Sequence, residues 1–199
     1  IVGQATHGAN LGSLFSRVAG QNHPENGMPT NVALYPRAVD DSTMPAIKNF
    51  GDFEATGTLG GSYAPFVPSG GGDMRKNMEL HVPMTRFDDR RRLLANLDRL
   101  RRAVDLQADQ GGLDSLTEQA YQTILGGVSE AFDLTQEDPA VVARYDTAPL
   151  LRPDAINKKW NNHKRYADNA KSLGKLMLLA RRLCERGCGF VTVTTNFVW

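Results

Sequence analysis

The last thirteen residues, 187–199, read GCGFVTVTTNFVW, and this stretch fixes the expected fold class. Its Val- and Thr-rich run is typical of a β-strand, placed here at residues 189–196. A helical pattern over residues 165–186 leads directly into this strand, and its predicted inner face holds Ala170, Leu173, Leu176, Met177, Ala180 and Leu183. Gly187 is then the left-handed residue that ends the helix. This order is typical of the second half of a βαβ unit, which predicts a parallel strand buried on both faces.

Two regular elements are predicted within residues 1–35. Residues 9–19, ANLGSLFSRVA, repeat apolar residues at helical spacing, and the predicted buried face consists of Leu11, Leu14, Phe15 and Val18. Gly and Pro residues then interrupt the pattern. Residues 32–35 follow as a short predicted strand that Pro36 closes. The chain therefore starts as helix, loop and strand.

Residues 36–84 form a long Gly- and Pro-rich region without a clear period. About fifty residues without regular structure is long for a compact domain, and loops of that length are often functional. Two interpretations stay open for this region, a loop on the substrate side of the protein and a loop that packs on its core.

Residues 85–132 are predicted to form an antiparallel helical hairpin. Thr85 opens its first helix, whose apolar seam recurs at spacings of four, three and four residues: Leu93, Leu97, Leu100 and Val104. Ser115 with Glu118 is a capping box for the second helix. Gly126 and Gly127 interrupt that helix, which indicates that another helix crosses closely there. A further short helix is predicted with Thr135 as its N-cap and Pro139 in its first turn.

The composition excludes several classes of partner. A net charge of +1 and an isoelectric point near 8.0 favour neither a nucleic acid nor an anionic membrane surface. The longest strongly apolar run, LMLLA at residues 176–180, is far too short to span a bilayer. The opening IVGQATHG lacks the features of a signal peptide. Because the first residue is Ile1 rather than Met, we expect the chain to be part of a longer protein.

No set of residues in the sequence makes a self-contained catalytic site. Cys184 and Cys188 are interpreted as two small buried residues. A disulfide across the Gly187 turn is the first alternative, and redox or metal chemistry is the second. The four histidines are scattered without metal-ligand spacing: His7, His23, His81 and His163. The Gly-rich stretches lack the Lys-Ser/Thr ending of a phosphate-binding loop.

The strongest positional clue is the end of the last strand. In open α/β sheets, ligands bind beyond the carboxyl ends of the parallel strands. Thr194, Thr195 and Asn196 are the last polar groups at that end, so they are the candidate residues next to a substrate or metal. A metal ligand or a general base is expected immediately after Trp199.

Several segments in order along the chain carry a family resemblance. GANLGSLFSRVAG, GMPTNVALYPRAV, GTLGGSYAPFVPSGGGD, DDRRRLLANLDRLRR, EDPAVVARYDTAPLLRP and GKLMLLARRLCERGCGFVTVTTNFVW resemble domain-of-unknown-function family fifteen-oh-one. That family is grouped with the alkaline phosphatase and sulfatase superfamily. The resemblance covers nearly the whole chain and is closest to members from planctomycete-type bacteria.

The resemblance implies a three-layer α/β fold around a mostly parallel sheet. It also implies an exported or periplasmic parent protein, often with a twin-arginine signal, and metal-assisted hydrolysis of a small-molecule sulfate or phosphate ester. Residues 1–199 are then the central fragment of one alkaline-phosphatase-like domain. That fragment would be inactive alone and would hold no cofactor. The parent protein would bind zinc or calcium. Asn196 would have a supporting role.

Two alternatives from other classes remain. One is a non-catalytic cell-envelope or binding protein that retains the fold. The other is a helical partner-binding module built on residues 85–132, which an exposed stripe of leucines would support.

Overall fold

A computed structural model describes residues 8–45, 52–68, 82–104, 117, 119–124, 126, 128–159 and 163–195, with backbone only for residues 95–104 and 153. The protein mixes helices and strands. The helices are α1 (Leu11–Ala19), α2 (Met84–Val104), α3 (119–124), α4 (Pro139–Arg144) and α5 (His163–Glu185). The strands are β1 (Asn31–Leu34) and β2 (Phe190–Val193). Turns and short 3-10 helices make up most of the remaining described chain.

Strands β1 and β2 form a parallel pair, as expected from the helix that leads into β2. The register runs from Asn31 opposite Phe190 to Leu34 opposite Val193. Gly187 ends α5 with a φ of +99°, which confirms the predicted left-handed stop. The strand is shorter than the predicted 189–196, and all four of its residues are half-buried rather than fully buried.

Strand β1 is the more deeply buried of the two, because it is paired along both edges. Besides β2, it contacts Phe66, which accepts a hydrogen bond from Ala33 N at 3.0 Å and donates one to Asn31 O at 2.9 Å. The long Gly- and Pro-rich region thus returns to the sheet at Phe66. Packing on the core is therefore one role of this region.

Helix α5 covers one face of the strand pair. Val32 and Leu34 point to that face, since side chains alternate along a strand, and both belong to a core cluster with Leu176, Leu179 and Leu183. The predicted inner positions Leu176 and Leu183 are confirmed. Leu173 and Met177, also predicted inside, are 40% and 49% exposed, whereas Leu178 is fully buried.

The buried face of α5 differs from the predicted one because the helix makes a second contact, on its opposite side, with residues 145–147. A Cβ on Gly174 would lie 1.5 Å from Tyr145 O, so only glycine permits this approach. The Thr147 hydroxyl donates to Ala170 O at 2.6 Å and accepts from Gly174 N at 3.0 Å. A regular α-helix joins those two groups directly. A side chain from another segment therefore contacts one donor and one acceptor of the α5 backbone at the same time.

Helix α1 covers the other face of the strand pair, where Asn31 and Phe190 point. Its predicted orientation is wrong for three of the four residues of the predicted buried face, whereas the fourth, Phe15, is half-buried and packs against the Phe190 ring with 6.0 Å between centroids. Leu11, Leu14 and Val18 are 64%, 47% and 89% exposed, and the buried residues of the helix are Gly12, Ser13 and Ser16.

Close backbone approach explains the orientation of α1. A Cβ on Gly12 would lie 2.2 Å from Asn31 Oδ1 and 2.9 Å from the Phe190 ring, so a larger residue does not fit. Asn10 fixes the start of the helix, because its Oδ1 accepts from Ser13 N at 2.8 Å and its Nδ2 donates to Ala55 O at 2.9 Å. Small residues and Phe15, rather than the whole apolar stripe, therefore face the sheet.

The predicted helical hairpin is tested only in part. Helix α2 begins at Met84, one residue before Thr85, and Leu93 of the predicted seam is 60% exposed. The Phe87 ring packs edge-on against Tyr121 of α3 with 5.2 Å between centroids, so the two helices touch. The side chains of the other seam leucines, the turn, Ser115 and Glu118 lie outside the described residues, and the antiparallel hairpin stays a prediction.

Two predicted helix boundaries are corrected. Gly126 does mark a close approach, but the neighbour is the backbone of Asn26, whose carbonyl oxygen would lie 1.8 Å from a Cβ at residue 126, and not another helix. Residues Val128–Phe132 continue as a 3-10 helix. The N-cap of α4 is Asp138, whose side chain accepts from Ala140 N, and not Thr135. Pro139 is the first helical residue, so the cap immediately precedes it.

Among the described helices, none combines the length and the apolar character that crossing a membrane requires.

Candidate functional site

The carboxyl ends of β1 and β2 meet at one edge of the sheet. Thr194 N donates to Leu34 O at 3.0 Å, which sets Thr194 beside the residue that follows Leu34, Tyr35. Thr194 and Thr195 are both half-buried there, and the Thr194 hydroxyl donates to Thr195 O at 3.3 Å. The structure therefore places these two predicted site residues at the expected edge. Asn196 lies outside the described residues.

Tyr35 also lies at this edge. The sequence predicts it as a strand residue and indicates no functional role for it. Its side chain is 8% exposed. Burial raises the pKa of the Tyr35 phenol, and the negative charges of Glu54 and then Asp52 raise this pKa further. The hydroxyl is thus neutral at physiological pH, and it can donate a hydrogen bond but does not act as a phenolate nucleophile.

The two carboxylates near Tyr35 come from the long Gly- and Pro-rich region. Asp52 is exposed and accepts a hydrogen bond from Glu54 N at 2.9 Å, so both residues belong to one turn. The edge therefore combines two carboxylates, one neutral phenol and two threonine hydroxyls. Nothing in the spacing of Tyr35, Asp52 and Glu54 along the sequence indicates that they meet, because the intervening region has no period.

The side chains of this edge do not fit a metal site by themselves. Across the described part of the chain, no three His, Cys, Asp or Glu side chains are grouped so that they could hold an ion. His23 packs against the Gly187 turn and His163 starts α5. His7 and His81 lie outside the described residues.

The two cysteines are free thiols in different surroundings. Cys184 is exposed and Cys188 is buried, so the disulfide alternative is wrong and the interpretation as two buried residues holds for Cys188 alone. Burial raises the pKa of the Cys188 thiol to about 12. A neutral buried thiol is inert, which assigns Cys188 to the core rather than to redox chemistry.

Parallel strands with a helix on each face, and polar side chains at their carboxyl edge, define an α/β protein. The model of the family described as "Protein of unknown function (DUF1501)" matches residues 2–199, and the chain belongs to this family. The family expected from the sequence is thereby confirmed, and its grouping with the alkaline phosphatase and sulfatase superfamily stays a prediction. Neither the curated proteins nor the solved structures contain a match.

Proposed function

We propose that the protein contributes one wall of the site of an exported, metal-dependent hydrolase that cleaves small-molecule sulfate or phosphate esters. The observation that supports this proposal is the meeting of Tyr35 and Thr194 at the carboxyl edge of two parallel strands, where open α/β sheets bind ligands. The helices on both faces of β1 and β2 are compatible with a three-layer alkaline-phosphatase-like arrangement, which is part of the same proposal.

Each group of the edge has a role in this proposal. The neutral Tyr35 hydroxyl donates a hydrogen bond to a non-bridging ester oxygen. When the ester binds, the Thr194 hydroxyl exchanges its bond to Thr195 O for one to the same anionic group, and the Thr195 hydroxyl also donates to that group. Asn196 supports them with its amide. Burial keeps Tyr35 protonated by raising the pKa of its phenol, and the charges of Glu54 and Asp52 add to this effect because they oppose ionisation.

The described residues supply no metal ligand set, so no step of the reaction is derived through a metal. Zinc or calcium belongs to the proposal only through the family resemblance, and the ligands would come from sequence flanking residues 1–199. Residues 1–199 alone are then expected to bind either ion no better than a generic protein surface. They are also expected to leave aryl esters unchanged.

The test is turnover of 4-nitrophenyl sulfate and 4-nitrophenyl phosphate, with added Zn²⁺ or Ca²⁺, by the complete natural protein that contains this sequence. Tyr35→Phe and Thr194→Val should each lower kcat/KM by about tenfold or more, since each removes a donor to the transition state. Thr58→Val, which changes an exposed hydroxyl elsewhere, is the matched control and should keep the rate.

Calorimetric metal titration of residues 1–199 completes the test. Tight stoichiometric binding by residues 1–199 would contradict the placement of the ligands outside them. A complete protein that binds no metal and cleaves neither ester would contradict the hydrolase.

The second candidate function is a non-catalytic binding protein that retains the fold, with α2 as part of its contact surface. Leu93 and Leu94 are 60% and 42% exposed on this helix, and exposed neighbouring leucines favour contact with a partner. This function would be supported by three results together. The complete protein cleaves neither ester, it binds a cell-envelope partner, and the double variant Leu93→Gln/Leu94→Gln no longer binds that partner.

A further inference from the structure

A groove with a volume of about 570 Å³ lies beside helix α4. One of its walls consists of residues on a single face of α4 and the turn after it: Pro139, Val142, Ala143 and Asp146. The other walls come from Val39, from Lys175 of α5 and from the segment 134–137. None of these residues belongs to the carboxyl edge of the strands, so the groove is separate from the proposed hydrolase site.

Two opposite charges border the same end of this groove. Asp146 lies between Tyr145 and Thr147, and both of these neighbours contact Gly174 of α5. Lys175 is the next residue of α5, which brings its ammonium group and the Asp146 carboxylate to one end of the groove. The two groups nevertheless form no ion pair with each other.

Both charges can be reached by a ligand. Asp146 is exposed and Lys175 is half-buried. Asp146 Oδ1 accepts from Ala148 N at 3.0 Å, which orients the carboxylate. Within the described part of the chain, no group forms a hydrogen bond or ion pair with Asp146 Oδ2 or with the Lys175 ammonium.

A third carboxylate, that of Asp40, feels the charge of Lys175 without touching it. The hydrogen bond from Ser42 has the largest effect in lowering the pKa of Asp40, and the charges of Lys171 and Lys175 lower it further. Because Asp40 is bonded to Ser42, Lys175 keeps its own hydrogen bonds for a molecule in the groove.

The rest of the groove is apolar or already neutralised. Glu137 also borders it, but its two carboxylate oxygens bond Arg182 and Arg181. The larger uncharged side chains of the lining are apolar: Val39, Leu134, Pro139 and Val142. Val142 and Pro139 lie about one and two turns before Asp146 on the same face. The apolar surface therefore extends away from the charged end.

This arrangement defines the chemistry of the ligand. A molecule with only one charge would meet a like charge at the same end of the groove, which is unfavourable. A molecule without charge would leave both groups unmatched. An α-amino acid carries a carboxylate and an ammonium on one carbon atom, with its side chain beside them. A volume of about 570 Å³ is within the range of small-molecule sites.

We propose that this groove binds a free α-amino acid with an apolar side chain. The Lys175 ammonium donates to the carboxylate of the amino acid, and Asp146 Oδ2 accepts from its ammonium group. The apolar side chain packs against Val142 and Leu134. This inference does not depend on the hydrolase, because it uses no residue of the carboxyl edge.

Three probes that share a phenyl ring and a short chain test the proposal: L-phenylalanine, 3-phenylpropanoate and 2-phenylethylamine. The second lacks the ammonium and the third lacks the carboxylate. Titration at neutral pH and low salt, followed by two-dimensional NMR of methyl groups, should show L-phenylalanine shifting the Val142 and Leu134 signals. L-phenylalanine should bind about two- to fivefold more tightly than either analogue, as one ion pair at a partly exposed site provides.

Two variants assign the two preferences separately. Lys175→Gln should bring the affinity ratio of L-phenylalanine to 2-phenylethylamine to about one or below, while the preference over 3-phenylpropanoate remains. Asp146→Asn should do the reverse, and its side-chain oxygen can still accept from Ala148 N, so the turn is retained. Lys171→Gln and Asp154→Asn, at exposed positions outside the lining, are the matched controls and should keep both ratios.

A further variant tests the location independently of the charges. Ala143 is an exposed residue of the α4 wall, so Ala143→Trp fills the groove from its rim and should abolish the binding of all three probes.

Three results would overturn the proposal. The first is that L-phenylalanine shifts neither the Val142 nor the Leu134 methyl signals. The second is equal binding of the three probes by the unaltered protein, which would mean that the two charges do not act together. The third is that Lys175→Gln and Asp146→Asn change both ratios in the same way, because a general loss of structure, rather than contact with one end of the ligand, would then explain them.

Discussion

Helices α1 and α5 cover opposite faces of the same two strands, but different side chains make the two contacts. α5 buries Leu176, Leu179 and Leu183 against the core face of the sheet. α1 approaches with Gly12, Ser13 and Ser16 and leaves Leu11, Leu14 and Val18 exposed. One face is filled by large apolar side chains. The other is closed mainly by short side chains that let helix and sheet come near each other, with the Phe15 ring packed beside Phe190.

The difference shows that an apolar stripe identifies a helix better than it identifies the side that packs. The α5 stripe meets a deep apolar surface, where burial of each leucine is worth about 1.5–3 kcal/mol. The sheet residues opposite α1 are Asn31 and Phe190, and the position of Asn31 beside Gly12 leaves no room for a Cβ. Steric fit, rather than hydrophobicity, selects the orientation of α1.

The largest expected effect is on the anchor of α5. Arg182 is 8% exposed, pairs with the Glu137 carboxylate, and donates to Ala131 O at 3.2 Å and Glu130 O at 3.0 Å. Arg182→Ala leaves two buried backbone acceptors unpaired and leaves Glu137 with only its more exposed contact to Arg181, so it should cost about 3–5 kcal/mol in urea denaturation. Arg181→Ala, which removes that more exposed contact to Glu137, is the control and should cost clearly less. Equal losses would contradict a special role for Arg182.

The apolar face of α5 should respond next. Leu179 is 1% exposed, and Leu179→Ala is expected to lower the free energy of unfolding by about 2–5 kcal/mol through the cavity it leaves. Met177→Ala, at a half-exposed position of the same helix, should lower it by a clearly smaller amount in the same denaturation experiment. If the two variants had similar midpoints, the described orientation of α5 would be wrong.

The α1 face should be sensitive to added rather than removed atoms. Gly12→Ala usually favours a helix, but here its Cβ would overlap Asn31 Oδ1, so a loss of about 1–3 kcal/mol is expected. Gly61→Ala has open space around the new methyl group and should be nearly neutral. A stabilised Gly12→Ala protein, measured by thermal unfolding, would break the argument for close approach.

The α5 face also predicts a dependence on alkaline pH. The pKa of the Cys188 thiol is about 12 in the folded protein against an ordinary value of 9.0, so the native state holds this proton more tightly than the unfolded state. The corresponding stability is present below pH 9 and is lost as the pH rises from 9 towards 12. Urea midpoints between about pH 7.5 and pH 10.5 should therefore fall less steeply for Cys188→Ala than for the unaltered protein. Cys184→Ala should keep the unaltered slope.

The smallest effect is expected on the exposed stripe of α1. Val18 is 89% exposed, so Val18→Gln should change the free energy of unfolding by no more than about 0.5 kcal/mol. Leu14→Gln, at 47% exposure, should remain close to that limit. A loss above about 1 kcal/mol for Val18→Gln would show that the stripe is covered and that the contrast between the helices is smaller than described.

The parts of the fold that the sequence predicts are those encoded by neighbouring residues. The apolar repeat of α5, the glycine at 187 and the Val/Thr run after it lie within thirty residues, and together they predict a helix, a stop and a parallel strand. The face of α1 is encoded by a contact between residue 12 and residue 31, which no local period reveals. Phe66 pairs with β1 across an irregular region and gives no strand signal of its own.

The candidate site follows the same division. Thr194 and Thr195 could be placed at the carboxyl edge because they directly follow a recognisable strand. Tyr35 could not be assigned a role, because the carboxylates that affect its pKa belong to a distant turn at residues 52–54. A cavity beside Asn31 was not predicted at all, since its walls come from α1, the loop before β1, β1 itself, the 61–66 segment and α3.

The contact of Thr147 with α5 has a consequence for hydrogen exchange. The amide of Gly174 donates to a hydroxyl from another segment, an acceptor that an ordinary helical amide does not have. When residues 145–147 move away, this amide loses that acceptor while the rest of α5 is still folded, so deuterium from the solvent replaces its proton faster. The exchange rate of this single amide therefore measures how often the segment detaches from the helix, a local opening that the core amides around Leu179 do not share.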